Sequence, residues 1–434
     1  MGGRWVENIR PMIDRAHLTR ATGNPHGVAV IGFLVAMIDG FDTLMLAFIA
    51  PLISREWALP AQTIGALFAS SYAGAALGAT VIGIAADRYG RRAMLLASLA
   101  IAGTFTLLCA WSAGPAQLMV LRAVAGLGLG GTLSTITALT AERATPERRR
   151  ATVTRMFLGF PIGAIVGGAA TAAAMSALGW RGVFIGGGLC GLLLLPLVAA
   201  RTSESRSSGS LLAPSVHSRR PLKELVSDGR AVRTFLFCLC AFLMLLTSYF
   251  LVSWVPTVLT LTGVPPQRAA MSAVALNCGG ILGTLVLSFV IGRRNPLPAV
   301  IGSLCAGSLA VALLGYAIME PGYTRSMLVF AVGLLIIGAQ GGIPALCVHL
   351  YPPSIYATAV GLSVASGRLG SILGPLIGGY LVSASLGWQR LFLLAAIPAI
   401  SAAIAMTALA LNNRHIADAV SGATVHPPDR AADH

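Results

Sequence analysis

Two aspartates stand in the middle of the chain's first long apolar run. Residues 28–50 are almost entirely apolar, yet Asp39 and Asp42 lie near their centre. On a helix, side chains three residues apart project from nearly the same face. Two carboxylates this close in a low-dielectric medium repel each other, so we expect one of them to take up and release a proton. The pattern therefore predicts a proton-coupling pair.

Two arginines, Arg122 and Arg368, lie within other apolar runs. A charge inside a bilayer is costly, so its presence indicates either a functional site or a buried partner. Arg122 stands at a depth similar to that of Asp42, and we expect it to pair with Asp42 or Asp39 and to be one of the substrate-binding residues. Arg368 carries a planar guanidinium that can bind a substrate carboxylate through two hydrogen bonds. A purely structural ion pair is the alternative for these charges.

Three other side chains could contact a small molecule, and they are Gln340, Tyr249 and Trp254. Each could hydrogen-bond to a ligand or stack on a ring, and packing within a helix bundle is the alternative. The seven cysteines lie in apolar runs at no metal-ligand spacing, and no Gly-x-x-x-x-Gly-Lys-[Ser/Thr] phosphate loop occurs. We therefore expect no cofactor, no metal and no enzymatic activity.

The composition indicates where these residues reside. Of 434 residues, 56% are apolar and 10% are charged, and the mean hydropathy is +0.80. These values predict an all-α membrane protein rather than a soluble domain. Twelve apolar runs reach the roughly 20 residues that cross a bilayer. The predicted spans are 28–50, 62–86, 93–112, 116–139, 152–176, 181–200, 234–256, 268–291, 298–318, 326–349, 357–383 and 390–411.

The basic residues predict an orientation. With the N-terminus inside, 23 of the 30 basic residues fall on cytoplasmic segments and five on outer ones. This bias is the positive-inside pattern of a plasma (bacterial inner) membrane protein with both termini in the cytoplasm. The net charge of +15 therefore orients the chain and contacts membrane lipid, and no nucleic-acid partner is expected.

The chain divides into two similar halves. The predicted units are a cytoplasmic segment at 1–27, a six-helix bundle at 28–200, a cytoplasmic loop at 201–233, a second six-helix bundle at 234–411 and a cytoplasmic tail at 412–434. The run Leu178-Gly179-Trp180 reappears as Leu386-Gly387-Trp388 at the entrance to the last span of each half. Such an echo predicts an internal duplication, the usual construction of proteins whose halves rock about a site at the membrane midplane.

The loop after the second span carries a specific motif, Gly83-Ile-Ala-Ala86-Asp87-Arg88-Tyr89-Gly90-Arg91-Arg92. This run resembles the G-x-x-A-D-R-x-G-R-R loop of the major facilitator superfamily. The resemblance implies twelve helices in two pseudo-symmetric halves. It also implies an inner gate formed by Gly83, Asp87, Arg88, Gly90, Arg91 and Arg92, to which we expect Glu142 of the next cytoplasmic loop to contribute.

Other motifs narrow the resemblance. The run Asp39-Gly40-Phe41-Asp42 resembles the D-G-x-D motif of the aromatic acid:proton symporter family. Two later runs resemble the tenth and eleventh spans of that family, and they are Gly338-Ala339-Gln340-Gly341-Gly342 and Gly367-Arg368-Leu-Gly370-Ser371. This resemblance implies import of a small aromatic carboxylate together with protons by a monomer. Which carboxylate is carried stays open.

This chain departs from the family in two places, and two other functions stay as alternatives. Tyr356-Ala357-Thr358 replaces the family's Arg-Ala-Thr run, and the second copy of the gate motif is reduced to Gly292-Arg293-Arg294. Proton-coupled efflux predicts a Gly-x-x-x-Gly-Pro run in the fifth span, where Gly159-Phe-Pro161-Ile-Gly163 is a poor match. A membrane sensor or enzyme predicts an output domain or a catalytic constellation, and we identify neither in the sequence.

Overall fold

A computed structural model describes the chain as a bundle of long helices. It describes residues 25–145, 148–202, 224–225, 230–291, 296–320, 322–352 and 355–423. The predicted N-terminal segment, most of the central loop, the reduced gate motif Gly292-Arg293-Arg294 and the end of the tail lie largely outside these residues. All regular structure in the described residues is helical, so the prediction of an all-α membrane protein is confirmed.

The helices are numbered in chain order. They are α1 Pro25–Trp57, α2 Ala61–Tyr89, α3 Arg91–Leu108, α4 Pro115–Arg143, α5 Arg149–Phe157, α6 Gly159–Arg201, α7 Ala231–Leu261, α8 Pro266–Ile291, α9 Pro296–Ala317, α10 Tyr323–Val332, α11 Gly338–Gln340, α12 Ile343–Leu350, α13 Tyr356–Ser383 and α14 Trp388–Ala423. Most extend a few residues beyond the predicted spans, because a helix continues into polar residues after its apolar run ends.

Eleven helical stretches of the described residues are long and apolar enough to cross a membrane. One of them, Ala151–Arg201, has 51 residues and contains the predicted fifth and sixth spans. An unbroken helix of that length would be about 76 Å long, more than twice the hydrocarbon thickness. The stretch is interrupted at Gly179, whose φ of 61° and ψ of −173° are not helical. Glycine adopts this conformation without the Cβ clash that other residues suffer.

The predicted tenth span is irregular in the structure. A π-helical segment, Gly333–Ile337, follows α10, and a turn at Gly341 and Gly342 separates α11 from α12. Two adjacent glycines favour a turn, and Pro344 near the start of α12 cannot donate a helical hydrogen bond. The stretch Tyr323–Leu350 is still long and apolar enough to cross a membrane, in agreement with the predicted span 326–349, and its helix is interrupted at these residues.

Glycines let helices approach closely. A Cβ atom on Gly163 of α6 would lie 1.8 Å from the carbonyl oxygen of Met37 in α1. A Cβ atom on Gly130 of α4 would lie 1.9 Å from the carbonyl oxygen of Ala75 in α2. These contacts fix α1 against α6 and α2 against α4, and they set the positions of the charged residues on α1 and α4.

The helices form two groups that pack against each other. Residues 25–201 form one group, in which α1 packs on α6 and α2 on α4, and residues 230–423 form the other, in which α7 packs on α13 and α9 on α14. The groups meet where α2 contacts α13, α6 contacts α8 and α1 contacts α7.

The two ends of the bundle differ. We call the end near residues 202 and 230 the linker end and the opposite end the far end. Near the far end the groups are tightly packed, since a Cβ atom on Gly65 would lie 2.7 Å from the carbonyl oxygen of Pro375. Phe68 also packs edge-on against Trp254 across the groups, with ring centroids 6.4 Å apart. The far end is therefore closed between the two groups.

Candidate functional site

A cavity of about 310 Å³ lies between the two groups of helices. Its walls bring together five of the residues that the sequence singled out, and they are Asp39, Arg122, Tyr249, Gln340 and Arg368. The cavity extends from these residues toward the linker end, where Phe157, Phe160, Ile343, Ser363 and Val364 line it. The site therefore opens away from the closed far end.

Asp42 and Arg122 form an enclosed ion pair. Arg122 Nη1 donates to Asp42 Oδ1 at 2.6 Å, and Arg122 Nη2 donates to the Asp42 carbonyl oxygen at 3.1 Å. Arg122 Nε donates to Ser71 Oγ at 3.1 Å, and Thr106 Oγ1 donates to Asp42 Oδ2 at 2.5 Å. Each guanidinium nitrogen and each carboxylate oxygen thus has a partner, and the Arg122 side chain is 0% exposed. The charges of Arg122 and Asp42 therefore compensate each other within the protein.

The face of the Phe184 ring closes the same cluster. The Arg122 guanidinium carbon lies 5.9 Å from the centroid of that ring, within the range of a cation–π contact. Ser71, Thr106 and Phe184 were not among the residues that the sequence singled out. Serine and threonine in apolar helices usually bond to their own backbone, as Ser98 and Thr132 do here, so sequence alone gives no signal that distinguishes Ser71 and Thr106.

Asp39 differs from Asp42 although only three residues separate them. Asp39 lines the cavity, is 4% exposed, and makes no hydrogen bond or ion pair within 4 Å to any residue in the described part of the chain. The charges of Arg368 and Asp42 act on it electrostatically. Of the two carboxyl groups, that of Asp39 lines the cavity and that of Asp42 does not.

Arg368 projects from α13 into the same cavity and is partly buried. Within the described ranges its side chain forms no salt bridge, whereas Arg122 forms one with Asp42. Its positive charge is therefore available to an anion that enters the cavity. Gln340, on the neighbouring wall, donates through Nε2 to Ser248 Oγ. This hydrogen bond fixes the amide, and its carbonyl oxygen can still accept a hydrogen bond from another donor.

Aromatic rings bound the cavity toward the far end. Tyr72 and Tyr249 meet edge to face with centroids 4.7 Å apart, and the Tyr72 hydroxyl lies 3.5 Å from Ser253 Oγ. Because Tyr72 belongs to the first group of helices and Tyr249 to the second, this contact joins the groups at the cavity wall. A planar ligand in the cavity would meet these rings.

Trp254, which the sequence also singled out, lies away from the cavity wall. Its side chain is 0% exposed, and its Nε1 donates to the Pro375 carbonyl oxygen at 3.0 Å. Together with its contact with Phe68, this hydrogen bond makes Trp254 part of the closure between the groups. The structure therefore does not bring Trp254 together with the other candidate ligand-binding residues.

The residues predicted to form the inner gate lie together at the linker end. Arg91 pairs with Glu142 at 2.8 Å and with Asp87 at 3.2 Å, and Arg92 Nη2 donates to the Ala199 carbonyl oxygen at 2.8 Å. Gly90 ends α2 with a φ of 97°, a left-handed conformation that favours glycine. Each of these contacts stays within the first group of helices.

The remaining members of that motif have looser surroundings. The Arg88 guanidinium lies 5.6 Å from the ring centroid of Tyr89, and the Asp87 side chain is 71% exposed. A Cβ atom on Gly83 would meet only Ser134 Oγ, at 3.9 Å. Asp87 therefore has a solvent-exposed carboxylate with capacity for additional partners.

No group of three or more histidine, cysteine, aspartate or glutamate side chains that could hold a metal ion occurs among the described residues. The cavity walls carry the carboxyl group of Asp39, the guanidinium groups of Arg368 and of the paired Arg122, hydroxyl and amide groups, and aromatic rings.

Known proteins are similar to this chain in sequence and in fold. Residues 32–362 match the Major Facilitator Superfamily. A gallate transporter of Pseudomonas putida is 32% identical, over 93% of this chain and 94% of that protein. A 3-(3-hydroxy-phenyl)propionate transporter of Escherichia coli is 35% identical, over 82% of this chain and 86% of that protein.

Among solved structures, the fold resembles that of the nucleoside transporter NupG. The TM-score is 0.75, with 16% sequence identity over 89% of this chain and 99% of that chain. At this identity the likeness concerns the fold alone.

Proposed function

Because this chain belongs to the Major Facilitator Superfamily, we propose that it is a secondary transporter that imports a small aromatic carboxylate together with protons. One observation carries the proposal. Asp39 and Arg368 line the same cavity between the two groups of helices, and neither has an ion-pair partner among the described residues. The two relatives named above are transporters, not enzymes, and their names specify aromatic acids.

The charges suggest how a carboxylate and a proton are coupled. Arg368 offers two hydrogen-bond donors to a substrate carboxylate, and Tyr72 and Tyr249 offer ring edges and faces to an aromatic body. Once a carboxylate occupies Arg368, a second negative charge on Asp39 in the same cavity is disfavoured by repulsion. Substrate binding and protonation of Asp39 therefore support each other, which is the requirement for symport.

We assign different tasks to the two aspartates. Asp39 carries the proton, whereas Asp42 holds Arg122 and thereby fixes α1 against α4. This assignment follows from the bonding of each carboxylate, because Asp42 is fully hydrogen-bonded and Asp39 is not. In this proposal Arg122 positions Asp42, and Arg368 is the cation that touches substrate.

The transport cycle rests on twelve spans in two pseudo-symmetric halves, with the break at Gly179 separating the fifth span from the sixth. Local geometry supports the symmetry. Gly179 and Gly387, the middle residues of the two Leu-Gly-Trp runs, both have positive φ, at 61° and 77°. Ala58 and Gly263 also have positive φ, and each stands seven residues after a proline in the last turns of the first helix of its half.

The proposed orientation places the linker end and both termini in the cytoplasm and the chain, as a monomer, in the bacterial inner membrane. The far end then faces outward and is closed, so the structure corresponds to an inward-open state. When the halves rock to the outward-open state, the linker ends approach each other, and the exposed Asp87 carboxylate becomes able to dock against the second half. The domain divisions at 28–200 and 234–411 define the two rocking units.

Uptake into proteoliposomes tests this proposal. Labelled gallate and 4-hydroxybenzoate are offered to the wild type and to Asp39→Asn, with and without an acidic exterior. We expect gradient-driven uptake by the wild type and its loss in Asp39→Asn. The matched control is exchange of preloaded substrate at equal pH, which Asp39→Asn should retain because binding to Arg368 persists. Absence of uptake by the wild type for every aromatic acid, together with substrate exit driven by the gradient, would indicate efflux instead.

A further inference from the structure

A second cavity, of about 360 Å³, opens at the far end within the second group of helices. It lies between the last turn of α7 and the first turns of α8 and α10. Its lining residues are Leu259, Val264, Arg268, Met271, Ser272, Ala275, Gly322, Tyr323, Arg325, Ser326 and Val329. None of these residues lines the central cavity, so this is a separate site.

The second cavity is strongly positive. Arg268 is the third residue of α8 and Arg325 the third residue of α10, and neither helix has an acidic residue in its first turn. A helix start presents unpaired N–H groups and the positive end of the helix dipole. An arginine is electrostatically unfavourable at such a position unless an anion lies nearby. Here two arginines and two helix starts converge on one cavity.

No acidic residue in the described part of the chain lines this cavity. Glu320 is the only acidic residue between positions 230 and 412, and neither arginine forms an ion pair within 4 Å in the described part of the chain. Arg325 Nη1 makes one long contact, of 3.4 Å, to the Ile318 carbonyl oxygen. By contrast, Arg181 near the same end donates to Glu56 at 2.6 Å.

The rim of the cavity is apolar and exposed. The side chains of Tyr323, Met327 and Met271 are 87%, 69% and 45% exposed. In a membrane protein, exposed apolar side chains beside a helix end face the acyl chains, and a tyrosine at that level lies at the membrane interface. The ligand that fits these surroundings has an anionic head and a hydrocarbon body.

We propose that this cavity binds the head group of an anionic phospholipid, with its phosphate between Arg268 and Arg325 and its acyl chains along Met271 and Met327. The guanidinium groups donate to the phosphate oxygens, and the first-turn N–H groups of α8 and α10 add further donors. The bound lipid ties α8 to α10 at the far end. This site is independent of the solute that the central cavity carries.

The test measures lipid-dependent stability of the full-length protein in a neutral detergent. Phosphatidylglycerol is titrated into delipidated wild type and into Arg268→Gln/Arg325→Gln, and the unfolding temperature is followed. The matched control is Arg55→Gln/Arg390→Gln, which removes the same charge from the predicted outer segments outside the cavity. We expect phosphatidylglycerol to raise the unfolding temperature of the wild type and of the control, with an apparent affinity roughly tenfold weaker for Arg268→Gln/Arg325→Gln.

Further measurements distinguish an anionic phospholipid from other ligands of this cavity. Phosphatidylcholine should give a smaller shift, and inorganic phosphate or 4-hydroxybenzoate should give none that depends on Arg268 and Arg325. Native mass spectrometry of Arg268→Gln alone, a change at an exposed side chain, should show fewer retained phosphatidylglycerol molecules than the wild type. Equal phosphatidylglycerol binding by wild type and both cavity variants would overturn the proposal. A shift by 4-hydroxybenzoate that both cavity variants lose would overturn it in favour of a carboxylate site.

Discussion

Arg122 Nη1 lies 2.6 Å from Asp42 Oδ1, and hydrogen bonds with Ser71 and Thr106 hold this buried pair within the first group of helices. Asp39, one helical turn earlier, faces the cavity without such a partner. The two acids of one short motif therefore have different surroundings, one internal to the protein and one open to a ligand. The predictions below follow from this difference.

Removing either member of the buried Asp42–Arg122 pair should destabilise the fold. Asp42→Asn leaves the buried Arg122 charge without its counter-ion, and breaking a buried pair costs about 3–5 kcal/mol. The double variant Asp42→Asn/Arg122→Gln removes both charges and should be more stable than either single variant. Thermal unfolding of the three variants in detergent measures this coupling, and strictly additive losses of stability would contradict it.

The sequence predicted the helical membrane fold and singled out the charged and amide side chains of the cavity, because a charge or amide in an apolar run is detectable without knowing its neighbours. Asp39, Arg368, Gln340 and Tyr249 were identified in this way. The assignment of Arg122 stayed open between Asp42 and Asp39, since a choice between two acids on one helical face depends on how α1 is rotated against α4. That rotation follows from close backbone contacts such as those at Gly163, which the sequence does not specify.

The aromatic residues show the same limit. Tyr249 and Trp254 stand five residues apart on α7, and the sequence alone makes both of them candidates to contact an aromatic ligand. The structure places Tyr249 on the cavity wall and Trp254 against Phe68 and Pro375. A residue five positions along a helix points in a different direction, so only the packing of α7 against α13 separates a cavity residue from a closure residue.

Tyr249 and Trp254 should therefore give different phenotypes. Tyr249→Leu removes a ring from the cavity and should weaken binding of aromatic acids with little loss of stability. Trp254→Phe removes the hydrogen bond to the Pro375 carbonyl oxygen and should lower stability by about 0.5–1.5 kcal/mol, the typical net contribution of one hydrogen bond. Substrate affinity by calorimetry and unfolding temperature, measured on both variants, separate the two effects. The same loss of affinity in both would argue against this division.

Close helix contact predicts a position-dependent response to alanine on α6. Gly163→Ala places a Cβ atom where only 1.8 Å is available to the Met37 carbonyl oxygen, so α1 and α6 must separate. We expect a loss of stability of at least about 1–3 kcal/mol together with loss of transport. Gly186→Ala, on the same helix and with no heavy atom within 4 Å, is the matched control and should unfold at or above the wild-type temperature. Equal behaviour of the two variants would contradict the packing.

At the linker end, Glu142 and Asp87 should contribute differently to the inward-open state. The Glu142 and Arg91 side chains are 15% and 16% exposed and pair at 2.8 Å, whereas Asp87 is 71% exposed. Glu142→Gln should thus lower the unfolding temperature more than Asp87→Asn. Asp87→Asn should chiefly slow transport, because its proposed partner belongs to the outward-open state. Unfolding temperature and the initial rate of uptake, taken from the same preparations, test this, and a larger stability loss in Asp87→Asn would refute it.

Arg368 should be required for substrate but dispensable for folding. Its guanidinium pairs with no acid in the described part of the chain, so Arg368→Gln removes a charge without leaving a described acid unpaired, and we expect the unfolding temperature to stay near that of the wild type. Loss of a charge-assisted hydrogen bond costs about 1.5–3 kcal/mol, which corresponds to roughly 10-fold to 150-fold weaker binding of an aromatic carboxylate. Arg368→Lys keeps the charge but not the paired donors, and it should bind with intermediate affinity.

Calorimetric titration with gallate and with its uncharged methyl ester measures the effect, since only the carboxylate should discriminate among the three proteins. If Arg368→Gln bound gallate as tightly as the wild type, Arg368 would not be the group that holds the carboxylate.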